Sequence, residues 1–185
     1  QIIDGEFYYV DKTMLIYELL CGGGQNNLIT RPRRFGKTLN FSMLKYFFDI
    51  TEKDNAYLFD NLKISKHFDE IKSYRNTHPV ITLSLKCAKQ GNYESAINSI
   101  RYEIQEQFEK FKHVFESDKV DNNKKEYAKA VFSQNADSEF LSNSIKILSS
   151  CLKQYYGVNT IILIDEYDVP LEDAYFSGYY DKMIT

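Results

Sequence analysis

The chain has 185 residues, a length that suits one compact domain, and its 43% hydrophobic and 26% charged residues exclude wholesale disorder. The 23 lysines and arginines against 26 aspartates and glutamates leave a net charge of −3, which argues against a generic electrostatic grip on nucleic acid and leaves room only for a local basic patch. Apolar runs such as Ile161 to Ile164 fall far short of the roughly 20 residues that cross a bilayer, so the chain reads as soluble and without a membrane partner.

The chain opens on Gln1 with no charged leader before an apolar segment, and it reads as part of a longer protein. Asp11 is expected to cap a helix through Met14, Leu15, Leu19 and Leu20, which Gly22, Gly23 and Gly24 then end. Leu28, Ile29 and Thr30 read as a short strand, followed by a turn and a helix from about Lys37 to Asp49. Residues 51 to 78 are mixed, with a short amphipathic helix around Lys66 to Tyr74. After His78-Pro79, the run Val80 to Leu85 has the β-branched and aliphatic composition of a buried strand. Ile97, Ile100, Ile104, Phe108, Phe111 and Phe115 recur on one face of a helix expected over Tyr93 to Phe115.

A loop over Ser117 to Lys125 leads to a short helix around Glu126 to Phe132. Leu141, Ile145, Leu148, Leu152 and Tyr155 then mark a helix stopped by Gly157, and Thr160 to Ile164 reads as a strand covered on both faces. Leu171 to Thr185 reads as helix. No repeat, low-complexity tract or linker divides the chain, so a single domain over residues 1–185 is expected. The order of strands and helices predicts an α/β sandwich with parallel strands and right-handed crossovers.

Cys21, Cys87 and Cys151 are odd in number and far apart, which fits neither a disulfide framework nor a paired metal knuckle and points to a reducing, cytoplasmic setting. His67, His78 and His113 are equally scattered and give no local zinc motif. The aromatic residues Tyr8, Tyr9, Phe47 and Phe48 sit at spacings that suit packing better than base stacking.

Chemistry concentrates at two places. Gly36, Lys37 and Thr38 stand where a strand is expected to turn into a helix, a position at which unpaired backbone N–H groups and the helix dipole favour a phosphate. There the Lys37 ammonium would reach the β- and γ-phosphates, and the Thr38 hydroxyl would ligate a magnesium ion. The usual phosphate loop has glycine five places before Gly36, where this chain has Arg31, so a solvated basic turn formed by Arg31, Arg33 and Arg34 is the plain alternative. The second place is Ile161-Ile162-Leu163-Ile164-Asp165-Glu166, an apolar strand that delivers two carboxylates at its C-terminal end, where open α/β sheets bind ligands. Asp165 would hold the metal and Glu166 would orient and deprotonate the attacking water. A loop cap paired with an arginine is the structural alternative for this pair. The two places are expected to converge on one triphosphate.

Tyr9-Val10-Asp11-Lys12-Thr13, Arg31-Pro32-Arg33-Arg34-Phe35-Gly36-Lys37-Thr38-Leu39, and Ile164-Asp165-Glu166-Tyr167-Asp168 with Pro170-Leu171 resemble the signature blocks of the predicted AAA-ATPase-like family of bacterial proteins. The blocks run from near the start to near the end of the chain. In that family the arginine-rich phosphate loop is the norm, so the resemblance removes the objection raised by Arg31. It implies a P-loop NTPase-like three-layer sandwich of the additional-strand class, with ATP and Mg2+ as cofactors. Cofactor binding falls to Arg33, Arg34, Phe35, Gly36, Lys37, Thr38 and Leu39, metal binding to Thr38 and Asp165, and catalysis to Glu166 and Lys37. The resemblance places Tyr9 to Lys12 near the nucleotide base. It also implies a further strand with a γ-phosphate sensor, which the residues after Asp165 do not supply, so the domain is expected to be incomplete at its C-terminal end. A restriction-endonuclease-like region that often follows in such proteins would bring nucleic acid as a partner, and an oligomer is left open.

Hydrolysis of the ATP β,γ-phosphoanhydride is the leading expectation. The absence of an Asn-Lys-x-Asp segment disfavours guanine. The alternatives are an ATP-binding switch or adaptor with negligible turnover, and an interaction domain whose basic turn only captures anions.

Overall fold

The structure, a computed structural model, describes residues 5, 8–30, 35–132 and 138–184, with the side chains of residues 138–140 left out. The chain divides into two compact units at Val80/Ile81, and each is described by itself.

The first unit is helical. Helix α1 (Met14–Cys21) buries Ile16 and helix α2 (Lys37–Phe48) buries Met43, Leu44, Phe47 and Phe48. Two 310 turns, Lys53–Phe59 and Lys63–His67, lead into a single helical turn, α3 (Phe68–Ile71). Phe47 meets Phe48 and Phe59 edge-on, with ring centroids 5.2 and 5.3 Å apart, so the inner face of α2 is held by aromatic packing. The helix expected from Lys37 ends one residue earlier than the periodicity suggested, because the chain turns extended at Asp49. There it forms a parallel bridge with His78. Asn76, with φ 51°, donates from Nδ2 to the carbonyls of Tyr46 (2.9 Å) and Asp49 (3.1 Å), while its N–H donates to Phe47 O at 2.7 Å. Carbonyls that a helix end leaves unpaired are thereby satisfied, and α2 is anchored at its C-terminus.

The strand expected at Leu28 to Thr30 does not form: these residues have no regular structure and Leu28 is 70% exposed. Three apolar or β-branched residues behind a Gly-Gly-Gly-Gln-Asn-Asn stretch are too few to define a buried edge. Phe47 and Phe48 are packing residues as expected, but Tyr8 is 93% exposed and packs on nothing that buries it.

The second unit is α/β. Strands β1 (Val80–Ser84) and β2 (Ile161–Asp165) form a two-stranded parallel sheet. Between them run α4 (Tyr93–Lys110), α5 (Lys112–Glu116), α6 (Asn122–Phe132) and α7 (Ser138–Tyr156). Ile81, Leu83, Phe108, Phe111, Val114, Val131, Leu148 and Leu152 share one core, to which each fully buried side chain contributes about 1.5–3 kcal/mol by area. The helix expected over Tyr93 to Phe115 is interrupted at Phe111, so Phe111 and Phe115 enter the core from two short axes instead of one. On one edge of β1 the N–H groups of Thr82 and Ser84 donate to Gln107 Oε1 (3.1 Å) and Glu103 Oε2 (3.3 Å), so side chains of α4 occupy ladder positions that a neighbouring strand would use.

Helix α7 ends as its sequence predicts, on Gly157 at φ 76°, whose N–H donates to Lys153 O. Strand β2 is not covered on both faces: Ile162 and Ile164 are 42% and 48% exposed and alternate with more buried neighbours. The helix expected over Leu171 to Thr185 is two, α8 (Val169–Ser177) and α9 (Tyr180–Met183). Among the described residues no helix is long and apolar enough to cross a membrane, and all three cysteines are free.

Asn76→Ala removes both side-chain bonds to the end of α2 and places alanine at a left-handed φ. A loss of about 1–3 kcal/mol is expected, read as a lower denaturant midpoint at unchanged slope.

Candidate functional site

Of the residues expected to form a phosphate loop, those within the described structure stand at the start of α2. Gly36 adopts φ 76°, a left-handed conformation that glycine takes without penalty, and this turns the chain sharply into the helix. The first helical bond runs from Asn40 N–H to Gly36 O at 2.9 Å. The N–H groups of Lys37, Thr38 and Leu39 thus precede the hydrogen-bonded ladder. Among the described residues no side chain caps this end, and no acidic residue lies in its first turn. Lys37 is half-buried, Thr38 is exposed, and Phe35 and Leu39 are exposed apolar flanks. Such an end carries partial positive charge and open donors, the elements of an anion site. Arg33 and Arg34 lie outside the described residues.

The Tyr9 to Thr13 block is fastened beside this helix. Tyr9 Oη lies 3.6 Å from Met43 Sδ on α2. Asp11 Oδ1 accepts from the N–H (2.9 Å) and hydroxyl (2.6 Å) of Thr13, and Asp11 Oδ2 accepts from Lys63 N–H at 2.7 Å. Thr13, fully buried, accepts in turn from Ile64 N–H at 3.2 Å. Burial by itself would raise the Asp11 carboxyl, but the bonds from the Thr13 hydroxyl and from the Lys63 and Thr13 N–H groups outweigh it and hold the group below the usual aspartate range. The Lys12 side chain projects from this fixed segment, and its Nζ lies 4.0 Å from where a Cβ on Gly36 would sit. Adjacency in the sequence gave no sign that Lys12 approaches Gly36. The only signal available was its place in a signature block.

The acidic pair stands in the second unit. Asp165 closes β2 and is half-buried, as is Glu166. Glu166 has φ 53°, and its N–H donates to Asp165 Oδ1 at 2.9 Å. A left-handed glutamate costs about 1–3 kcal/mol of local strain, and residues held in that state cluster at functional turns. Val169 N–H donates to Glu166 O at 3.1 Å, closing a tight turn that feeds α8 with Pro170 in its first turn. Asp168 is exposed at the helix start and makes no capping bond with its side chain. Lys37 and Thr38 thus belong to one unit, Asp165 and Glu166 to the other.

Magnesium takes hard oxygen donors, keeps several waters and needs only one or two carboxylates. The Thr38 hydroxyl and the Asp165 carboxylate suit that chemistry. Among the described residues no group of three or more His, Cys, Asp and Glu side chains could hold a metal. A shallow hollow of about 380 Å3 between residues 118–125 and Gln154 contains none of the motif residues.

The family model described as Predicted AAA-ATPase matches residues 1–185. The chain belongs to the predicted AAA-ATPase-like family. No curated protein and no solved structure matches it. One AAA-ATPase-like family model therefore spans both units, and it covers the Gly36 turn and the Asp165-Glu166 turn alike.

Asp11 gives a pH signature. A carboxyl depressed in the folded state adds stability that is complete above its unfolded value, about 3.9, and is lost as pH falls through the folded value. The stability difference between the parent and Asp11→Ala is therefore expected to be largest near neutrality and to shrink below about pH 3.9 in denaturant titrations.

Proposed function

We propose that this chain binds ATP with magnesium at the N-terminus of α2 and that the protein hydrolyses its β,γ-phosphoanhydride. The observation that carries the reading is the left-handed Gly36 ahead of Lys37, which leaves an uncapped helix start with no acidic residue in its first turn, in a chain matched throughout by an ATPase family model. The family match together with the parallel pairing of β1 and β2 supports the finer fold proposal, a P-loop-like three-layer sandwich over residues 1–185.

In this reading the open N–H groups at the start of α2 bind phosphate oxygens and Lys37 neutralises charge on the β- and γ-phosphates. Arg33, Arg34 and Phe35 belong to the same loop. Thr38 and Asp165 are the residues that would hold magnesium, which when bound would neutralise phosphate charge. Glu166 positions a water in line with the γ-phosphorus and takes its proton as the P–O bond to the β,γ-bridging oxygen breaks, giving ADP and inorganic phosphate. The strained turn at Glu166 supports that role, because its geometry is held by the Asp165 carboxylate beside it.

Ligand linkage tests the binding step. MgATP at about 100 times its dissociation constant is expected to add about 2.7 kcal/mol of stability, seen as a raised melting temperature, and Lys37→Ala to remove most of it. A melting temperature indifferent to MgATP in the parent protein would contradict the reading. For the chemical step, Glu166→Gln is expected to keep ATP affinity and lose phosphate release. Bound ATP with equal, negligible turnover in both proteins would assign a nucleotide-gated switch instead.

A further inference from the structure

We propose that the outer face of the α8 and α9 hairpin is a self-association surface, on which a second copy of this chain docks about a two-fold axis. The inference is independent of the nucleotide reading above. Its basis is the register of the two helices. Pro170, Ala174 and Tyr179 are buried, and Met183 packs beside the small core that Ala174 and Tyr179 share with Ala88 and Ala96. One position further along, at the same spacing of four, Leu171 and Tyr175 on α8 and Tyr180 and Ile184 on α9 and its end are exposed, where a surface helix normally carries polar residues. The hairpin is thus apolar on the face it buries and on the face it presents.

The presented side chains form one patch. The Tyr175 ring meets Phe176 and Tyr180 edge-on, with centroids 5.6 and 6.1 Å apart. Tyr175 and Phe176 are 70% and 79% exposed, and Leu171, Tyr180 and Ile184 are 39%, 38% and 55% exposed. For side chains of about 150–250 Å2 these fractions leave roughly 500 Å2 open on one copy, a patch large enough to mark an interaction site. Two copies pairing face to face bury about 1,000 Å2, which reaches the lower limit of a specific interface and fits a reversible dimer with a Kd on the order of micromolar.

The patch is complementary to itself. Edge-on rings present both faces and edges, so a two-fold can set the edge of one copy's ring against the face of the other's. No charged residue interrupts the apolar positions; Asp168 and Glu172 flank the Leu171 end, and the pair Asp181 and Lys182 flanks the Ile184 end. Antiparallel pairing about a two-fold keeps the two acidic ends apart and turns each toward the other copy's Lys182. The platform is also held from behind. Asp173 Oδ2 accepts from Gln90 N–H (3.1 Å), Gly91 N–H (2.9 Å) and the Tyr179 hydroxyl (2.8 Å), and Gly178, at φ 78°, makes the turn between the helices. Docking therefore has little backbone left to order.

The test is sedimentation velocity on the whole protein containing this chain, from about 1 to 100 μM, in the parent, Tyr175→Ser, Phe176→Ser, doubly substituted and Tyr102→Ser forms. Tyr102 is an exposed tyrosine on α4, away from the stripe in sequence, and serves as the control. The expected result is a parent that passes from monomer to dimer across this range, a dissociation constant raised about tenfold or more by each single substitution, and a double variant that stays monomeric. Tyr102→Ser is expected to match the parent. The substituted side chains are exposed, so equal melting temperatures of the dilute proteins check that folding is intact. A parent that is monomeric throughout would overturn the proposal and assign the face to another segment or another protein. Association that the Tyr175 and Phe176 variants leave unchanged, or that Tyr102→Ser weakens as much, would overturn it as well.

Discussion

The structure depends most on the way the chain enters α2. A glycine in the left-handed region starts the helix, and among the described residues no side chain caps the donors that other helices satisfy with a serine, threonine or aspartate. That arrangement is unfavourable in isolation, since a cap contributes about 1 kcal/mol. It persists because the rest of the helix is held elsewhere. Phe47, Phe48 and Phe59 lock its inner face, and Asn76 and His78 tie down its C-terminal carbonyls. The stabilising contacts lie at one end, and the open hydrogen-bonding capacity lies at the other.

The second unit repeats the pattern with the opposite charge. The core includes Phe108, Phe111, Leu148 and Leu152, and β2 ends in a strained acidic turn. Glu166 is held at a positive φ by its own neighbour, Asp165, whose carboxylate accepts the Glu166 N–H. Both turns thus carry a positive φ, without penalty at Gly36 and with strain at Glu166, and one family model covers them together.

Much of this was legible in the sequence, for reasons that can be named. The amphipathic periods of α4 and α7 and the Gly157 stop are properties of contiguous residues, so they survived into the structure within a few positions. The break at Phe111 was not legible, because Phe111 keeps the helical spacing and only tertiary packing splits the axis. Leu28 to Thr30 was misread as a strand because an apolar run shows composition but not a pairing partner. The Gly36-Lys37-Thr38 turn and the Asp165-Glu166 turn could each be named as candidates from adjacency alone. The approach of Lys12 to Gly36 was not legible, since it depends on how Asp11 and Thr13 bind the backbone at Lys63 and Ile64, far along the chain.

The central claim is that the uncapped start of α2 is the place where an anionic nucleotide binds. Backbone amide shifts of the isotope-labelled protein, followed through a titration with MgATP, test it most directly. The account predicts saturable shifts at Gly36, Lys37, Thr38 and Leu39, in the direction of stronger hydrogen bonding, with those amides among the most affected. Amides of Gly36 to Leu39 that stay in place while nucleotide saturates the protein elsewhere, or while it fails to bind at all, would contradict it.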